Sequence, residues 1–404
     1  MPRCRPYGRK HQNGDVTPRI RSAVAAVALV VLAACGGGGG SDGDADSAAD
    51  ATGTWVDMSP APIAGRSSAT STWTGTEMVV WGGGSCKANP CQFDNVEALV
   101  DGGAYNPSTD AWRTIAPSPL SARTGSASDW TGKELLIWGG VVGTTQVYAD
   151  GAAYDPAKDS WRPMAASPLS ARRTSATWTG KELVVWGGRD IVNTQYFTDG
   201  AAYDPVTDRW RPIAAAPLSP RDRVSHEWTG KELVIWGGGT SNEAFGDGAA
   251  YDPVTDRWRA LAESPMAARF VQGQWTGKEL LYWGGEDWAQ VFNDGFAYDP
   301  AADTWRKLAQ GPLSGRVGTA HVWSGRELLI WGGTPGTYNN YLADGAAYDP
   351  ASDRWRRIPS WTGRFTSGIW TGTEMIVWGG IVPTDTPGRL VEIRSAADGR
   401  RYRP

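Results

Sequence analysis

The tripeptide Trp-Gly-Gly occurs seven times in this chain of 404 residues, and successive copies lie 47 to 57 residues apart. A motif that returns at this interval indicates tandem copies of one supersecondary unit. Such a unit cannot bury its own apolar surface and has to pack against its neighbours. The spacing therefore predicts a fold built from seven similar units. The tryptophans of the motif are Trp81, Trp138, Trp186, Trp236, Trp283, Trp331 and Trp378.

Four landmarks follow one another in each unit. Trp-Thr/Ser-Gly-x-Glu comes first, an apolar run then leads to Trp-Gly-Gly, and Asp-Gly-x-x-Tyr-x-Pro precedes a Trp seven residues after the Tyr, as in Tyr154 and Trp161. The apolar runs are too short for buried helices and are bounded by turn residues, so they predict strands. The Thr-Gly and Asp-Pro segments predict tight turns. Each unit is therefore expected to contain four short strands.

Tandem four-stranded antiparallel units are the blades of β-propellers. The order of Gly-Gly, Tyr and Trp also resembles the kelch repeat, and the resemblance covers residues 53–404. It implies an all-β, seven-bladed β-propeller of the galactose oxidase-like type, made of four-stranded antiparallel blades. In such blades the Gly-Gly ends the second strand, the Tyr lies on the third and the Trp lies on the outermost fourth.

The two ends of the repeat region predict how the ring closes. The last unit reaches Tyr402 without a following Trp, whereas Thr54–Met58 has the pattern of a fourth strand without a unit of its own. We therefore predict that this N-terminal strand completes the last blade. Closure of this kind removes the unpaired edges that a partial ring would expose.

A basic N-terminal segment is followed by the apolar stretch Ala23–Ala34, which is too short to span a bilayer. The sequence Leu-Ala-Ala-Cys that ends at Cys35 resembles the lipobox of bacterial lipoproteins. The resemblance implies a lipoprotein signal peptide at 1–34, lipidation of Cys35, a flexible tether at 35–53 and a propeller at 54–404. The alternative is an ordinary cleaved secretory signal. Both predict export, and the first predicts a propeller anchored to a bacterial membrane outside the cytoplasm.

Charge and cysteine usage agree with export. The formal net charge is −4, and removal of residues 1–34, which hold six basic residues and Asp15, makes it about −9. An acidic surface without a basic cluster is not suited to nucleic acid. Cys86 and Cys91 are close in sequence and are predicted to form a disulfide in an oxidising compartment. Two thiols alone do not supply a tetrahedral metal site. We expect no metal and no cofactor.

An arginine opens each predicted innermost strand, and a glutamate follows it in each Trp-Thr/Ser-Gly-x-Glu motif. Residues repeated in every unit usually serve the repeat, which favours a structural ring of ion pairs or backbone contacts. In the alternative, strand geometry places the arginines on the face of the Gly-Gly loops, where they would meet an anionic or sugar ligand. The arginines are Arg66, Arg123, Arg172, Arg221, Arg269, Arg316 and Arg364, and the glutamates are Glu77, Glu134, Glu182, Glu232, Glu279, Glu327 and Glu374.

The loops after Gly-Gly differ between units, and function in repeat proteins usually depends on such differences. Their aromatic rings lie beside acids and amides, a combination typical of carbohydrate or peptide surfaces. The alternative is that these side chains pack on the rim of the ring. The predicted ligand-binding loop residues are Arg189, Asp190, Tyr196, Asp287, Trp288, Tyr338 and Tyr341.

These observations predict a monomeric binding or interaction module of the cell envelope, with a carbohydrate, peptide or protein partner and membrane contact through the lipid alone. The alternative is a carbohydrate-active enzyme that resembles mutarotases or epimerases and uses one or two acid/base groups. The copper oxidases of the kelch type need a Tyr-Cys link and two His ligands, so copper chemistry is disfavoured here. His226 and His321 occupy equivalent positions in the non-adjacent fourth and sixth units, which argues against a shared metal.

Overall fold

The computed structural model describes residues 51–86, 96–336, 340–383 and 393–404. These residues form 36 β-strands and contain no helix, and hence no helix that could cross a membrane. Seven four-stranded antiparallel sheets form the blades of a β-propeller. The predicted fold class is confirmed. The predicted signal peptide, Cys35 and most of the predicted tether lie outside the described residues.

The chain enters the propeller with strand β1 (Thr54–Asp57) and then builds the blades in order. Blade 1 contains β2 (Thr70–Trp73), β3 (Met78–Trp81), β6 (Gly102–Asn106) and β7 (Ala111–Thr114), with the hairpin strands β4 (Gly84–Cys86) and β5 (Val96–Ala98) between β3 and β6. Blade 2 contains β8 (Ala127–Trp130), β9 (Leu135–Trp138), β12 (Gly151–Asp155) and β13 (Ser160–Pro163), with hairpin strands β10 (Val141–Val142) and β11 (Gln146–Val147). Blade 3 contains β14 (Ala176–Trp178), β15 (Leu183–Trp186), β18 (Gly200–Asp204) and β19 (Arg209–Pro212), with hairpin strands β16 (Arg189–Asp190) and β17 (Gln195–Tyr196).

The next blades follow the same plan, and only the last has an extra hairpin within the described residues. Blade 4 contains β20 (Ser225–Trp228), β21 (Leu233–Trp236), β22 (Gly248–Asp252) and β23 (Arg257–Ala260), and blade 5 contains β24 (Gly273–Trp275), β25 (Leu280–Trp283), β26 (Gly295–Asp299) and β27 (Thr304–Lys307). Blade 6 contains β28 (Ala320–Trp323), β29 (Leu328–Trp331), β30 (Gly345–Asp349) and β31 (Arg354–Ile358). Blade 7 contains β32 (Gly368–Trp370), β33 (Met375–Trp378) and β36 (Gly399–Arg403), with hairpin strands β34 (Ile381–Pro383) and β35 (Ile393–Ser395).

Strand β1 supplies the fourth strand of blade 7, as predicted. It pairs with β36 in antiparallel register, with Trp55 opposite Tyr402. The Trp55 indole N–H donates to the Pro359 carbonyl at 2.7 Å, and its ring contacts Trp331. The innermost strands of neighbouring blades lie against one another all round, including β32 against β2. The ring is therefore closed.

The core lies between blades rather than within them. The second strand of every blade is fully buried because both of its faces are covered by neighbouring blades. The tryptophan of each Trp-Gly-Gly packs against an outer tryptophan, as Trp81 does against Trp161 at 5.8 Å between ring centroids. Such aromatic pairs add stability beyond the area they bury. The recurrence of tryptophan in the sequence thus reflects the interfaces between blades.

Two faces of the disc carry different segments. The Gly-Gly and Asp-Gly segments lie on one face, called here the loop face, and the Thr-Gly and Asp-Pro turns lie on the other, called the turn face. The second glycine of each Gly-Gly has positive φ, and a side chain at Gly188 would come within 2.5 Å of the Arg173 carbonyl oxygen. Only glycine fits this close approach. The Gly-Gly thus lets the chain pass close to the residue that follows the arginine of each innermost strand, as Gly188 does to Arg173.

Candidate functional site

The seven arginines at the start of the innermost strands lie beneath the loop face. Arg172 has no exposed surface. Its guanidinium donates to both carboxylate oxygens of Asp199, at 2.6 and 3.2 Å, and to the carbonyls of Gly187 and Ser170. The ring of Phe197 covers it at 3.6 Å. Each of its three guanidinium nitrogens therefore donates to a group of the protein itself.

The same ion pair recurs in every blade, between the ring arginine and the aspartate of Asp-Gly. The arrangement matches the structural ring that the sequence allowed, and each of the seven arginines is at most 1% exposed. The pairs are Arg66–Asp101, Arg123–Asp150, Arg172–Asp199, Arg221–Asp247, Arg269–Asp294, Arg316–Asp344 and Arg364–Asp398, with N–O distances of 2.6 to 3.2 Å.

The repeated glutamates belong to a second network on the turn face. Glu134 accepts two hydrogen bonds from Arg162, at 2.9 and 2.7 Å, and Arg162 also donates to the hydroxyl of Tyr203 in the next blade. Tyr203 donates to Asp208 at 2.6 Å. Burial and this acidic partner raise the pKa of Tyr203 to about 12. Glu134 thus pairs with Arg162 of its own blade and not with a ring arginine, and Arg162 links this blade to the next.

Residues that differ between blades meet at the mouth of the central channel on the loop face. Arg173 donates twice to Asp222, at 3.0 and 2.6 Å. The next residue, Arg223, pairs with Glu286 at 3.5 Å and lies over the ring of Phe270 at 3.6 Å. These five side chains, together with Trp288, are called here the mouth cluster. They come from blades 3, 4 and 5 and are joined by ion pairs and ring contacts, with Asp222 and Phe270 buried beneath the others.

Two members of the mouth cluster have strained backbones. Arg223 has φ 53° and Trp288 has φ 77°, values that non-glycine residues rarely adopt. Arg223 also lies over the Trp288 ring at 4.4 Å, and the Trp288 indole N–H donates to the Thr240 carbonyl at 3.2 Å. Even so, 52% of Trp288 is exposed. Strain that holds a large apolar ring half exposed is typical of binding sites.

The other predicted loop residues have mixed placements. Arg189 lies over the Tyr196 ring at 4.9 Å, next to Arg173 through a backbone bridge. Asp190 accepts hydrogen bonds from its own hairpin, and these lower its pKa although burial alone would raise it. Asp287 likewise accepts from the amides that follow it. Tyr341 is half-buried, and Tyr338 lies outside the described residues.

Cys91 also lies outside the described residues, so its predicted disulfide with Cys86 stays a prediction.

Two adjoining cavities, called lobes here, lie along the innermost strands and share lining residues such as Ser175 and Phe365. One, of about 530 Å³, is lined by serine and threonine side chains of blades 7, 1, 2 and 3 and is called here the hydroxyl lobe. The other, of about 570 Å³, contains Glu227, Glu286, His226 and His321 and is called the acid lobe. Each volume falls in the range of small-molecule sites.

Ionisable groups of the acid lobe have unusual protonation. Burial, and then the nearby charge of Asp129, raise the pKa of Glu227 to about 8, so this carboxyl is largely protonated at neutral pH. Burial lowers the pKa of His226 and of His321 to about 4, so both imidazoles are neutral. His226 bonds through Nδ1 to Thr177, and His321 Nε2 is buried without a partner in the described part of the chain. No group of His, Cys, Asp and Glu there could hold a metal.

A comparison with protein families matches the KLHDC2/KLHL20/DRC7 Kelch-repeats domain to residues 68–272, just over half of the chain. The chain belongs to the kelch-repeat family. Among solved structures, YjhT is similar with a TM-score of 0.55 and 14% identity over 75% of this chain and 99% of YjhT. At that identity the likeness concerns the kelch propeller fold alone. A search of curated proteins finds no match.

Apart from Arg316, the residues that line the two lobes of this kelch propeller are not among the predicted site residues. They lie between the ring arginine and the first Trp of each repeat, as Ser175, Glu227 and Gln272 do. The signal was present, because these positions differ from blade to blade while the flanking Arg and Trp are constant. A comparison of equivalent innermost-strand positions, and not of the loops alone, would have found them.

The raised pKa of Glu227 predicts that this residue lowers the stability of the folded protein, and that the loss grows with pH. An unfolded glutamate has a pKa near 4.3, so between about pH 4 and 8 the unfolded state ionises before the folded state does and stability falls as pH rises. We expect Glu227→Gln to raise the free energy of unfolding by about 1–3 kcal/mol at pH 8 and to leave it unchanged at pH 4. Urea unfolding at both values measures this. The exposed Glu263→Gln is the control, and an equal effect of Glu227→Gln at both values would contradict the prediction.

Proposed function

We propose that this kelch propeller is an exported, lipid-anchored binding module that captures a carbohydrate, peptide or protein partner at the mouth cluster. Kelch propellers serve as binding and protein-interaction modules, and the closed ring provides a rigid support for contacts from several blades. The observation that carries the proposal is the packing of Arg223 against Phe270 and Trp288, with Glu286 as its ionic partner.

This packing prepares the surface for a ligand. The ion pairs of Arg173 and Arg223 fix long side chains that would otherwise lose rotamer freedom on binding, which lowers the cost of association. Trp288 offers a large exposed ring close to these charges. Tryptophan and arginine are the residue types that most often dominate binding energy. The mouth cluster combines both beside an open channel.

The binding role is tested by removing the exposed ring. A thermal-shift screen of the whole protein against neutral and acidic sugars, cell-wall fragments and short peptides identifies a ligand by its stabilising effect. We expect Trp288→Ala and Arg223→Ala to weaken binding of a hit by about tenfold or more, equivalent to roughly 1.4 kcal/mol. Val254→Ala, a change at a residue 90% exposed on a turn, is the matched control. Unchanged affinity in both mouth variants would refute a site at the mouth cluster.

The anchor rests on the sequence around Cys35. If Cys35 carries the lipid, Cys35→Ser is expected to move the protein from the membrane fraction to the soluble fraction, because a protein without its acyl chains loses their partitioning energy. Fractionation followed by immunoblotting measures this. Continued membrane association of a correctly folded variant would remove the lipid anchor from the proposal.

A carbohydrate-active enzyme is the second candidate, favoured by Glu227. A carboxyl that is protonated at neutral pH and lines a channel lobe is suited to donate a proton to a bound substrate. In that case a sugar that binds is also converted, and Glu227→Gln retains binding while conversion is lost. A sugar that is recovered unchanged leaves the binding module as the function.

A further inference from the structure

The hydroxyl lobe offers free hydrogen-bonding groups from blades 1, 2, 3, 5 and 7. Ser71, Ser128, Ser175, Ser367 and Gln272 line it, and their side chains make no hydrogen bond within the described ranges. Ser175, Ser367 and Gln272 lie where it adjoins the acid lobe. Each hydroxyl is both a donor and an acceptor, and the Gln272 amide has two donors and an acceptor. The lobe can therefore match a ligand that itself carries many hydroxyl groups.

The hydroxyl lobe also lacks a free charge. Its ionisable lining residues, within the described part of the protein, are Arg66 and His226. Arg66 is fully buried and paired with Asp101, and the lowered pKa of His226 keeps the imidazole neutral. An ionised ligand would lose hydration here without gaining an opposite charge. A neutral polar ligand exchanges water hydrogen bonds for equivalent ones with the protein.

Apolar side chains form the remainder of the lobe. Met78 and Ile376 lie on second strands of adjacent blades and Phe365 lies at the rim shared with the acid lobe. Sites for small molecules combine such apolar walls with a few polar groups that fix orientation. A sugar ring presents apolar C–H faces and hydroxyl edges, and so matches both kinds of wall.

From these three properties we infer that the hydroxyl lobe binds an uncharged sugar residue, with Ser175 and Gln272 donating and accepting hydrogen bonds to its hydroxyls. The inference rests on the proposed binding function and names the ligand class of the same channel. It also assigns a role to innermost-strand residues, which the loop-based prediction did not include.

Calorimetric titration of the whole protein with matched pairs of sugars tests the inference. The pairs are galactose with galacturonic acid and glucose with glucuronic acid, which differ in one carboxylate. We expect a neutral member to bind at least about tenfold more tightly than its acid. We also expect Ser175→Val and Gln272→Leu each to weaken that binding by about tenfold, as loss of a hydrogen bond in a closed site does. Ser241→Val, at an exposed loop position, should change nothing.

Two results would overturn the inference. One is binding of the acid as tight as that of the neutral sugar, and the other is neutral-sugar binding that Ser175→Val and Gln272→Leu leave intact. Ser175→Ala, which adds no bulk, replaces the valine variant if the latter lowers the melting temperature. A peptide that binds in a Trp288-dependent manner while no neutral sugar binds would end this inference and leave the proposed function standing. Neutral-sugar binding that depends on Ser175 and not on Trp288 or Arg223 would support the inference and remove the mouth cluster from the proposed function.

Discussion

Deletion of residues 51–58, which include β1, is expected to lower the free energy of unfolding by about 5 kcal/mol or more. Loss of a fully buried tryptophan costs about 3–5 kcal/mol, and the partly buried Trp55 contributes somewhat less. The deletion also removes the backbone ladder between β1 and β36. A typical domain has only about 5–15 kcal/mol in total. The truncated protein should therefore melt far below the parent protein or fail to fold.

The size of this effect follows from where β1 lies. Trp55 contacts the rings of Trp331, Trp361 and Tyr402, at 5.1, 5.5 and 5.3 Å between centroids, and so joins blade 7 to blade 6. The Thr52 carbonyl accepts from the Tyr402 hydroxyl at 2.7 Å, and the Thr52 hydroxyl accepts from Arg356 at 2.7 Å. Without β1, blade 7 would also expose an unpaired strand edge, which favours aggregation.

Thermal unfolding followed by circular dichroism measures the effect. The control is deletion of Gly36–Gly40 in the predicted tether, which should leave the melting temperature unchanged. Trp55→Ala separates the side chain from the strand, and we expect it to retain the fold with a loss of about 2–3 kcal/mol, less than for a fully buried tryptophan because Trp55 is only partly buried. A melting temperature of the 51–58 deletion equal to that of the parent protein would show that ring closure does not depend on β1.

Most of the fold could be predicted because every repeat contains the same sequence landmarks for one blade. Trp-Gly-Gly, the Tyr and the outer Trp fix the strand order of a blade, and seven copies fix the ring. The position of Trp55 could be predicted as well, because blade 7 was the one blade without an outer tryptophan of its own. These features depend on local sequence and on contacts between equivalent positions, which a periodic pattern reveals.

The candidate site depends on contacts between residues that differ from repeat to repeat, and the repeat pattern does not predict such contacts. Arg223 meets Glu286 across 63 positions and Arg173 meets Asp222 across 49. Which of the variable side chains face each other is decided by the geometry of the closed ring and by the strained backbones of Arg223 and Trp288. The pairing of the ring arginines with Asp-Gly was equally hidden, because glutamate and aspartate recur with the same regularity in every repeat.

The second large effect concerns the buried arginine ring. We expect Arg172→Met to lower the free energy of unfolding by about 3 kcal/mol, near the lower end of the range for breaking a buried ion pair. The partner Asp199 is 54% exposed and regains water when it is left alone. The cost therefore arises mainly from the Gly187 and Ser170 carbonyls, which lose their donor, and from the lost packing beneath Phe197.

Urea unfolding of Arg172→Met, beside Arg173→Ala as the control, distinguishes the two roles that the sequence allowed for the ring. Arg173 is the next residue, and its side chain is 34% exposed at the mouth cluster, but its partner Asp222 is only 4% exposed. Its loss should therefore cost about 1–3 kcal/mol while weakening ligand binding. A structural ring predicts normal affinity for Arg172→Met in the protein that remains folded, together with its large loss of stability. If Arg172→Met instead kept its stability and lost affinity, the arginine ring would be a ligand site, and the seven ion pairs would be its arrangement without a bound ligand.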